Sequence, residues 1–345
     1  MIVWRDRWRR LARRPVAGAA AIILAATILL PLLRWGIVDA RWRGDAAGCR
    51  APDVGACWAF IGHKLPFILF GLYPPSERWR PAMATCVLMI LLAISASPRR
   101  WQRWLLVVWI AGLGLVLLLL RGGFVLPRVA TQDWGGLPVT VLLTLVGLAI
   151  GFPLGIALAL GRRSRNVVTR IVAASIVEGV RGVPLIAVLY FAVLVVPLAL
   201  RRGLTPDKLL LAQLAVAVFA SAYLAEATRA GLQLVPRGRL DAALALGLSW
   251  WQSMRLVVLP EALRIVVPSY ISIAVGFFQD TSLIVVIGLF DLLNTARLAA
   301  QDPDWLGFYT EAYVFVGLLY FVGSALISRY GLWLEQQLAR GRAQA

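Results

Sequence analysis

Negative charge is scarce in this 345-residue chain: 17 Asp and Glu stand against 35 Lys and Arg, a formal net charge of +18. Histidine occurs once, at His63, and no His/Cys cluster has metal-ligand spacing. Three cysteines, Cys49, Cys57 and Cys86, are too few for a disulfide framework. No G-x-x-x-x-G-K-[ST] loop is present, so the chain cannot cradle ATP phosphates. Without a G-x-S-x-G or another nucleophile constellation, an intramembrane enzyme is not expected. Only 15% of residues are charged, against roughly 25% in soluble domains. With 60% hydrophobic residues, both a soluble globular domain and a disordered chain are excluded. Lysine is nearly absent (Lys64 and Lys208), and the arginines sit in short clusters between long uncharged runs. That is a topology code, not the contiguous basic face of a nucleic-acid binder. The class is an all-α polytopic membrane protein.

A hydrocarbon core about 30 Å thick requires about 20 apolar residues in a helix. Eight such spans are predicted. They lie between Arg14 and Arg34, over Pro81–Pro98, between Arg103 and Arg121, between Asp133 and Arg162, over Ile171–Leu200, from Leu209 past Glu226, over Ile265–Phe290, and between Glu311 and Arg329. The first run has the length of a full span and no small-residue cleavage site before Arg34, so it is expected to be retained. Arginine clusters at Arg5–Arg14, Arg99–Arg103, Arg162–Arg170, Arg237–Arg255 and Arg329–Arg342 all fall on one side if both termini are cytoplasmic. Residues 39–80 then form an external loop. In an oxidising compartment Cys49 and Cys57 either pair or stay free thiols. Cys86, inside the second span, is read as a small apolar filler.

The segment 234–260, LVPRGRLDAALALGLSWWQSMRLVVLP, lies between the sixth and seventh spans on the arginine-rich side. Pro236 and Gly238 break the preceding helix. Asp241 opens a run of strong helix formers, and Gly247 closes it with a residue able to take positive φ. A second amphipathic stretch, from Ser249, is expected to end at Pro260. The object is a helix–turn–helix on the cytoplasmic face.

Asp241-Ala242-Ala243, Gly247 and Leu259-Pro260 resemble the EAA loop of ABC-importer permeases, which supplies the coupling helix that docks into a groove on the ATPase subunit. Glu178-Gly179-Val180-Arg181-Gly182-Val183-Pro184-Leu185 resembles the E-x-x-R-G-x-P-L segment of the polar amino-acid permeases. Glu226-Ala227-Thr228-Arg229-Ala230-Gly231 resembles their E-x-x-R-x-G segment, and Asp280-Thr281-Ser282-Leu283 their K-D-T-S-L segment. The four motifs span roughly 134–335, the five-helix type I permease core, leaving 1–133 as an extension of three spans and 336–345 as a cytoplasmic tail. The extension resembles that of the longer permease subunit of general L-amino acid importers. Asp241 stands where Glu is usual, and Gln279 where Lys is common.

The resemblance implies a bacterial inner-membrane subunit for polar L-amino acids. Its implied partners are a second homologous permease, two copies of an ABC ATPase that uses ATP and Mg, a periplasmic amino-acid-binding protein and membrane lipid. This chain itself is expected to bind no cofactor.

A charge near the bilayer centre costs roughly 2.5–3.5 kcal/mol on insertion scales, so each must face a partner or a cavity. Glu178 and Arg181, three apart on one helical face, either pair with each other or mark a broken helix at Gly182-Val183-Pro184 beside the pathway. Glu226 and Arg229 repeat the spacing, as interfacial snorkellers or pathway residues. Asp280, Thr281 and Ser282 group a carboxylate with two hydroxyls, suited to an ammonium or to helix packing. An ion-coupled secondary transporter using Glu178, Glu226 and Asp280 is the alternative, and it leaves the helical loop unexplained. A channel lacks a ring-forming polar repeat.

Overall fold

The computed structural model describes residues 15–97, 100–123, 126–200 and 206–343. The arginines at 5, 7, 9, 10, 13, 14, 99, 201 and 202, together with Pro98, lie outside those residues, so the part of the orientation argument that rests on them is not addressed by the structure. The described helices are α1 (Pro15–Leu33), α2 (Trp58–Phe70), α3 (Trp79–Ser95), α4 (Arg103–Arg121), α5 (Leu137–Gly161), α6 (Val167–Arg181), α7 (Leu185–Tyr190), α8 (Lys208–Leu234), α9 (Arg237–Ala245), α10 (Leu259–Ile265), α11 (Val267–Asp280), α12 (Leu292–Ala299) and α13 (Tyr309–Ala343), with single turns between some of them. Among the described residues the only β contact is one bridge, Arg41 to Cys57.

Among the described residues seven segments are long and apolar enough to cross a membrane, and an eighth is counted if a bent pair forms one span. That pair is α6 with Leu185–Ala199, bent by 107°. The bend follows from local chemistry. Val183 precedes a proline and is disfavoured in α geometry, and Pro184 (φ −60°, ψ 145°) is extended where it leads into α7. Asn166 starts α6 by accepting from the amides of Val168 and Thr169, and Asp207 starts α8 by accepting from Leu209.

Packing divides the chain into two compact units that do not follow the sequence division at residue 133. One comprises Met1–Leu65 with Ala299–Phe315, the other Pro66–Leu298 with Val316–Ala345.

In the first unit Cys49 and Cys57 are disulfide-bonded. The Cys57 amide donates to Glu311 at 3.0 Å, and Arg50 donates to the carbonyls of Asp304 (3.3 Å) and Leu306 (3.5 Å). Lys64 pairs with Asp302 at 2.7 Å and holds that carboxyl below the usual carboxylate range. Phe60 packs on Trp305 and Phe308. A segment 254 residues downstream of Cys57 is thereby tied to the N-terminal part. Residues 39–80 are more than a loop: α2, 13 residues and too short to span, lies within them. Its apolar run is interrupted by His63 and Lys64, which hid it from a search for spans.

In the second unit the central contact is α5 against α8. Gly147, Gly151 and Gly155 fall at four-residue spacing and bring the two backbones together. A Cβ on Gly155 would stand 2.9 Å from both Leu224 Cβ and the Ser221 carbonyl, and one on Gly151 would stand 2.8 Å from Ala220 Cβ. Small residues at such spacing are what lets membrane helices approach closely when no hydrophobic drive separates protein from lipid. The buried face of α8 supplies Ala212, Ala215, Val216, Phe219, Ala220 and Leu224 to the main core.

Cys86 is exposed on α3 rather than filling its interior. The reason is register: Ala84, Leu88 and Leu91 take the inward face of that helix.

Candidate functional site

Glu178 and Arg181 do not pair with each other, as the i, i+3 reading allowed. Arg162, the C-cap residue just after α5, forks between two carboxylates instead. Its Nη2 donates to Glu178 at 2.8 Å and its Nη1 to Glu226 at 3.2 Å. Arg181 Nη1 lies 3.4 Å from Glu226 Oε2, and the Arg181 guanidinium stands over the Tyr223 ring, 5.5 Å from its centroid. Arg229 Nε donates to both Glu226 oxygens at 3.2 and 3.1 Å, and its Nη2 is also bonded to Glu226. The physical reason is reach: a guanidinium presents several donors in one plane, so Arg162 serves carboxylates on two different helices. Glu226 is therefore the hub of the cluster. Three guanidiniums against two carboxylates leave one positive charge in excess.

Arg162 was legible in the sequence only as one of a topology cluster. Its distance along the chain from Glu178 and Glu226 concealed the fork.

Beside the cluster, the break between α6 and α7 opens a pocket of about 640 Å³. Arg181 through Leu185 form one wall, Phe219 and Tyr223 of α8 a second, and Ser272, Phe277 and Asp280 of α11 a third. Of the six residues read as a possible pathway, Arg181 and Asp280 line it, and Glu226 reaches it through Arg181. Glu178 faces Arg162 with its side chain 66% exposed. Thr281 turns away: it is buried, donates to the Phe278 carbonyl at 2.8 Å and lies 3.4 Å from the Tyr320 hydroxyl. The Ser282 carbonyl accepts from Asn294. The three consecutive residues separate because α11 ends at Asp280 and tightens into a 3-10 turn over Thr281–Ile287, rotating successive side chains by about 120°.

A polar knot that the sequence reading missed lies next to that turn. Asp291 is fully buried and accepts from the Tyr320 hydroxyl (2.8 Å), from the amides of Leu293 (3.1 Å) and Asn294 (3.0 Å), and from the Asn294 side chain. Burial pushes its carboxyl above the usual range, against the pull of those donors.

The segment 234–260 folds as a helical hairpin. Its first helix, α9, starts at Arg237, four residues before Asp241, because Pro236 occupies the N-cap and needs no partner for an amide it lacks. Gly247 stands at φ +84°. Its amide donates to the Leu244 carbonyl at 2.9 Å, and the Leu248 amide to the Ala243 carbonyl at 3.2 Å. Those two bonds are the Schellman arrangement, which requires a left-handed residue at this position. Ser249 and Gln252 then form a reciprocal capping box that starts the return helix.

The return helix does not stop at Pro260. A π turn over Met254–Val258 accommodates the missing proline donor, and helix resumes as α10 from Leu259. The inner side of the hairpin is anchored by Met254, Val258 and Ala262 packed with Leu232 and Val235. Arg239 pairs with Glu261 at 3.6 Å across the hairpin, and a Cβ on Gly231 would meet the Ala262 carbonyl at 2.7 Å, so α8 and α10 touch backbone to backbone. The outer side carries Asp241, Ala242, Leu246 (84% exposed) and Trp251 (66% exposed). Asp241, Ala242, Gly247 and Trp251 are thus at the surface, while Ala243 is buried.

A helical protein that bends one span around a largely apolar pocket holding an arginine and an aspartate, and sets a hairpin with an exposed apolar tip between two others, has the build of a membrane transport subunit. The chain belongs to the family described as binding-protein-dependent transport system inner membrane components, whose model matches residues 151–340. It is 40% identical over 324 residues, 91% of this chain and 86% of the relative, to the inner membrane amino-acid ABC transporter permease protein YhdY of Escherichia coli strain K12. It is 33% identical to the glutamate/glutamine/aspartate/asparagine transport system permease protein BztC of Rhodobacter capsulatus, covering 88% of this chain and 82% of that one. A solved structure titled as an amino acid ABC transporter with histidines matches 57% of this chain and 90% of its own, at 28% identity and a TM-score of 0.51. The chain is an ABC-importer permease, a transport subunit of the inner membrane.

Proposed function

We propose that this permease carries polar L-amino acids into the cytoplasm and is driven through the hairpin 234–260 by a separate ATPase. The observation that carries the coupling half is the hairpin itself. It is pinned to α8 along one side by Met254 and Val258, which pack with Leu232 and Val235, and braced across itself by the Arg239–Glu261 pair, while Leu246 and Trp251 stand exposed at its tip. An exposed apolar tip on a fixed base is a surface made to be pushed. Similarity to permeases named for amino acids, glutamate and glutamine among them, supports the substrate half.

In this reading two copies of the ATPase bind ATP and Mg, a second homologous permease completes the membrane part, and a periplasmic binding protein delivers substrate. Both termini are cytoplasmic. The Cys49–Cys57 disulfide supports that orientation, because it suits the oxidising outer side. Closure of the ATPases shifts the permease between states to the extent that the hairpin makes different contacts in each.

The test is co-purification of the full chain with its ATPase, with and without residues 240–248. A complex lost only in the deletion variant, with the membrane protein still monodisperse, is the expected result. A chain that binds no ATPase and moves amino acids under an ion gradient would transfer the case to a secondary transporter.

A further inference from the structure

We infer that Arg181 is the carboxylate receptor of the pocket at the α6–α7 break, and that Glu226 and the carboxylate of an α-amino acid compete for it. The inference rests on the reading of the chain as an amino-acid importer subunit. Arg181 is the last residue of α6, immediately before the break, so its guanidinium belongs to the pocket wall and to the ion cluster at once. Its contact with Glu226, 3.4 Å from a single nitrogen, is the longest of the three that Glu226 makes: Arg162 stands at 3.2 Å, and Arg229 donates to both oxygens.

Glu226 does not depend on Arg181. If Arg181 turns to another carboxylate, Arg162 and Arg229 still compensate Glu226, so no buried charge is stranded. The cluster holds one cation more than it has anions, and a guanidinium is the side chain best shaped for bidentate capture of a carboxylate. Stacking over Tyr223 keeps the Arg181 plane oriented during the exchange. Asp280 on the same pocket supplies the acceptor for an ammonium group, which makes the site one for a zwitterion.

The exchange also has a mechanical consequence. The Arg181–Glu226 contact ties the end of α6 to α8, and α8 runs on into the hairpin. Taking Arg181 away removes the direct tie between α6 and α8 and leaves only the indirect one, in which Arg162 bridges Glu178 and Glu226. Occupancy of the pocket is thus converted into a looser hold of α6 on α8.

The test is equilibrium binding of radiolabelled L-glutamine, L-glutamate and L-arginine, each singly, to the full chain in lipid nanodiscs, with their α-carboxyl methyl esters as competitors. In the wild type the esters should compete roughly tenfold more weakly than the parent amino acids, since blocking the carboxylate leaves Arg181 without its partner. Arg181→Met should weaken binding by roughly tenfold, and Arg181→Lys by less, because it keeps the charge but not the fork. Glu226→Gln should tighten binding by about threefold, because removing the competitor frees a larger fraction of Arg181.

Esters that compete as well as the amino acids in the wild type would overturn the inference without recourse to any variant. So would unchanged affinity in Arg181→Met, or a loss in Glu226→Gln equal to that in Arg181→Met, which marks a shared structural role. Absence of binding by the wild type, while the assembled importer takes up the same amino acids, would overturn this inference and leave the proposed function standing. Absence of ATP-driven uptake of all three would overturn the proposed function itself.

Discussion

Replacing Gly155 by alanine pits two effects of opposite sign against each other. In a helix interior the change should stabilise by about 1 kcal/mol through backbone propensity. At Gly155, however, the new methyl would stand 2.9 Å from the Leu224 Cβ, 2.9 Å from the Ser221 carbonyl and 3.1 Å from the Ala225 amide. Carbon atoms pack best at about 3.5–4.0 Å, and none of these three atoms is the end of a side chain that can rotate away. Relief requires α5 and α8 to separate by roughly 0.6 Å, and the separation is shared by Gly151 and Gly147 on the same seam. Overpacking of this kind costs about 1–3 kcal/mol, so after the propensity gain the net effect should be a loss of up to about 2 kcal/mol. Gly114 on α4 has nothing within 4 Å of an added Cβ, so Gly114→Ala isolates the propensity effect. Thermal unfolding of the full chain in one fixed detergent should place Gly155→Ala a few degrees below the wild type, on the order of 2–4 °C per kcal/mol, and Gly114→Ala slightly above it. Equal or parallel shifts in the two variants would refute the argument that the glycine seam sets the α5–α8 approach.

Four further outcomes follow from the geometry. Gly247→Val should reduce ATPase co-purification while Gly247→Asn largely preserves it, because asparagine tolerates the left-handed conformation that a β-branched residue resists; equal behaviour of the two would argue against the Schellman turn as the determinant. A double-mutant cycle of Arg162→Met and Glu226→Gln should return a coupling of about 1 kcal/mol, below the buried-pair range because both side chains are partly exposed, and shrinking at high salt. Cys49→Ser removes an eight-residue crosslink worth about 2–3 kcal/mol in the chain-entropy account, and hydrogen exchange should rise in residues 299–315 as well as around the bridge, since Cys57 anchors Glu311. Lys64→Met tests the brace by pH: Asp302 is depressed, so its contribution is complete above the unfolded pKa of about 3.9 and is lost as pH falls through the lower folded value. Amide protection over residues 299–315 should therefore drop between pH 5 and pH 3 by less in the variant than in the wild type; an unchanged pH response would dismiss the Lys64–Asp302 pair.

Composition and periodicity determined most of this protein directly. Spans are legible because the bilayer imposes length and apolarity on each segment independently of its neighbours. The hairpin was legible for a related reason: Gly247, Ser249 with Gln252, and the Pro236 entry are local signals acting over a few residues, so the turn could be read before its surroundings were known. The break at Gly182-Val183-Pro184 belongs to the same class, since proline acts on the residue beside it.

What only tertiary structure decided is every choice among partners. Glu178 and Arg181 have the spacing of a pair, yet Arg162, sixteen residues before Glu178, outcompetes the local partner because its fork reaches two helices at once. Asp280, Thr281 and Ser282 are neighbours in sequence and part company where α11 gives way to a 3-10 turn, in which consecutive side chains point about 120° apart. Pro260 reads as a stop, but a π turn absorbs it. The Met1–Leu65 and Ala299–Phe315 segments form one unit because a disulfide, a buried carboxylate and a lysine close a gap that no local pattern spans. Local rules fix which residues are helical and where helices end; contacts between charges depend on helix placement in three dimensions, and a single sequence does not contain that placement as a local signal.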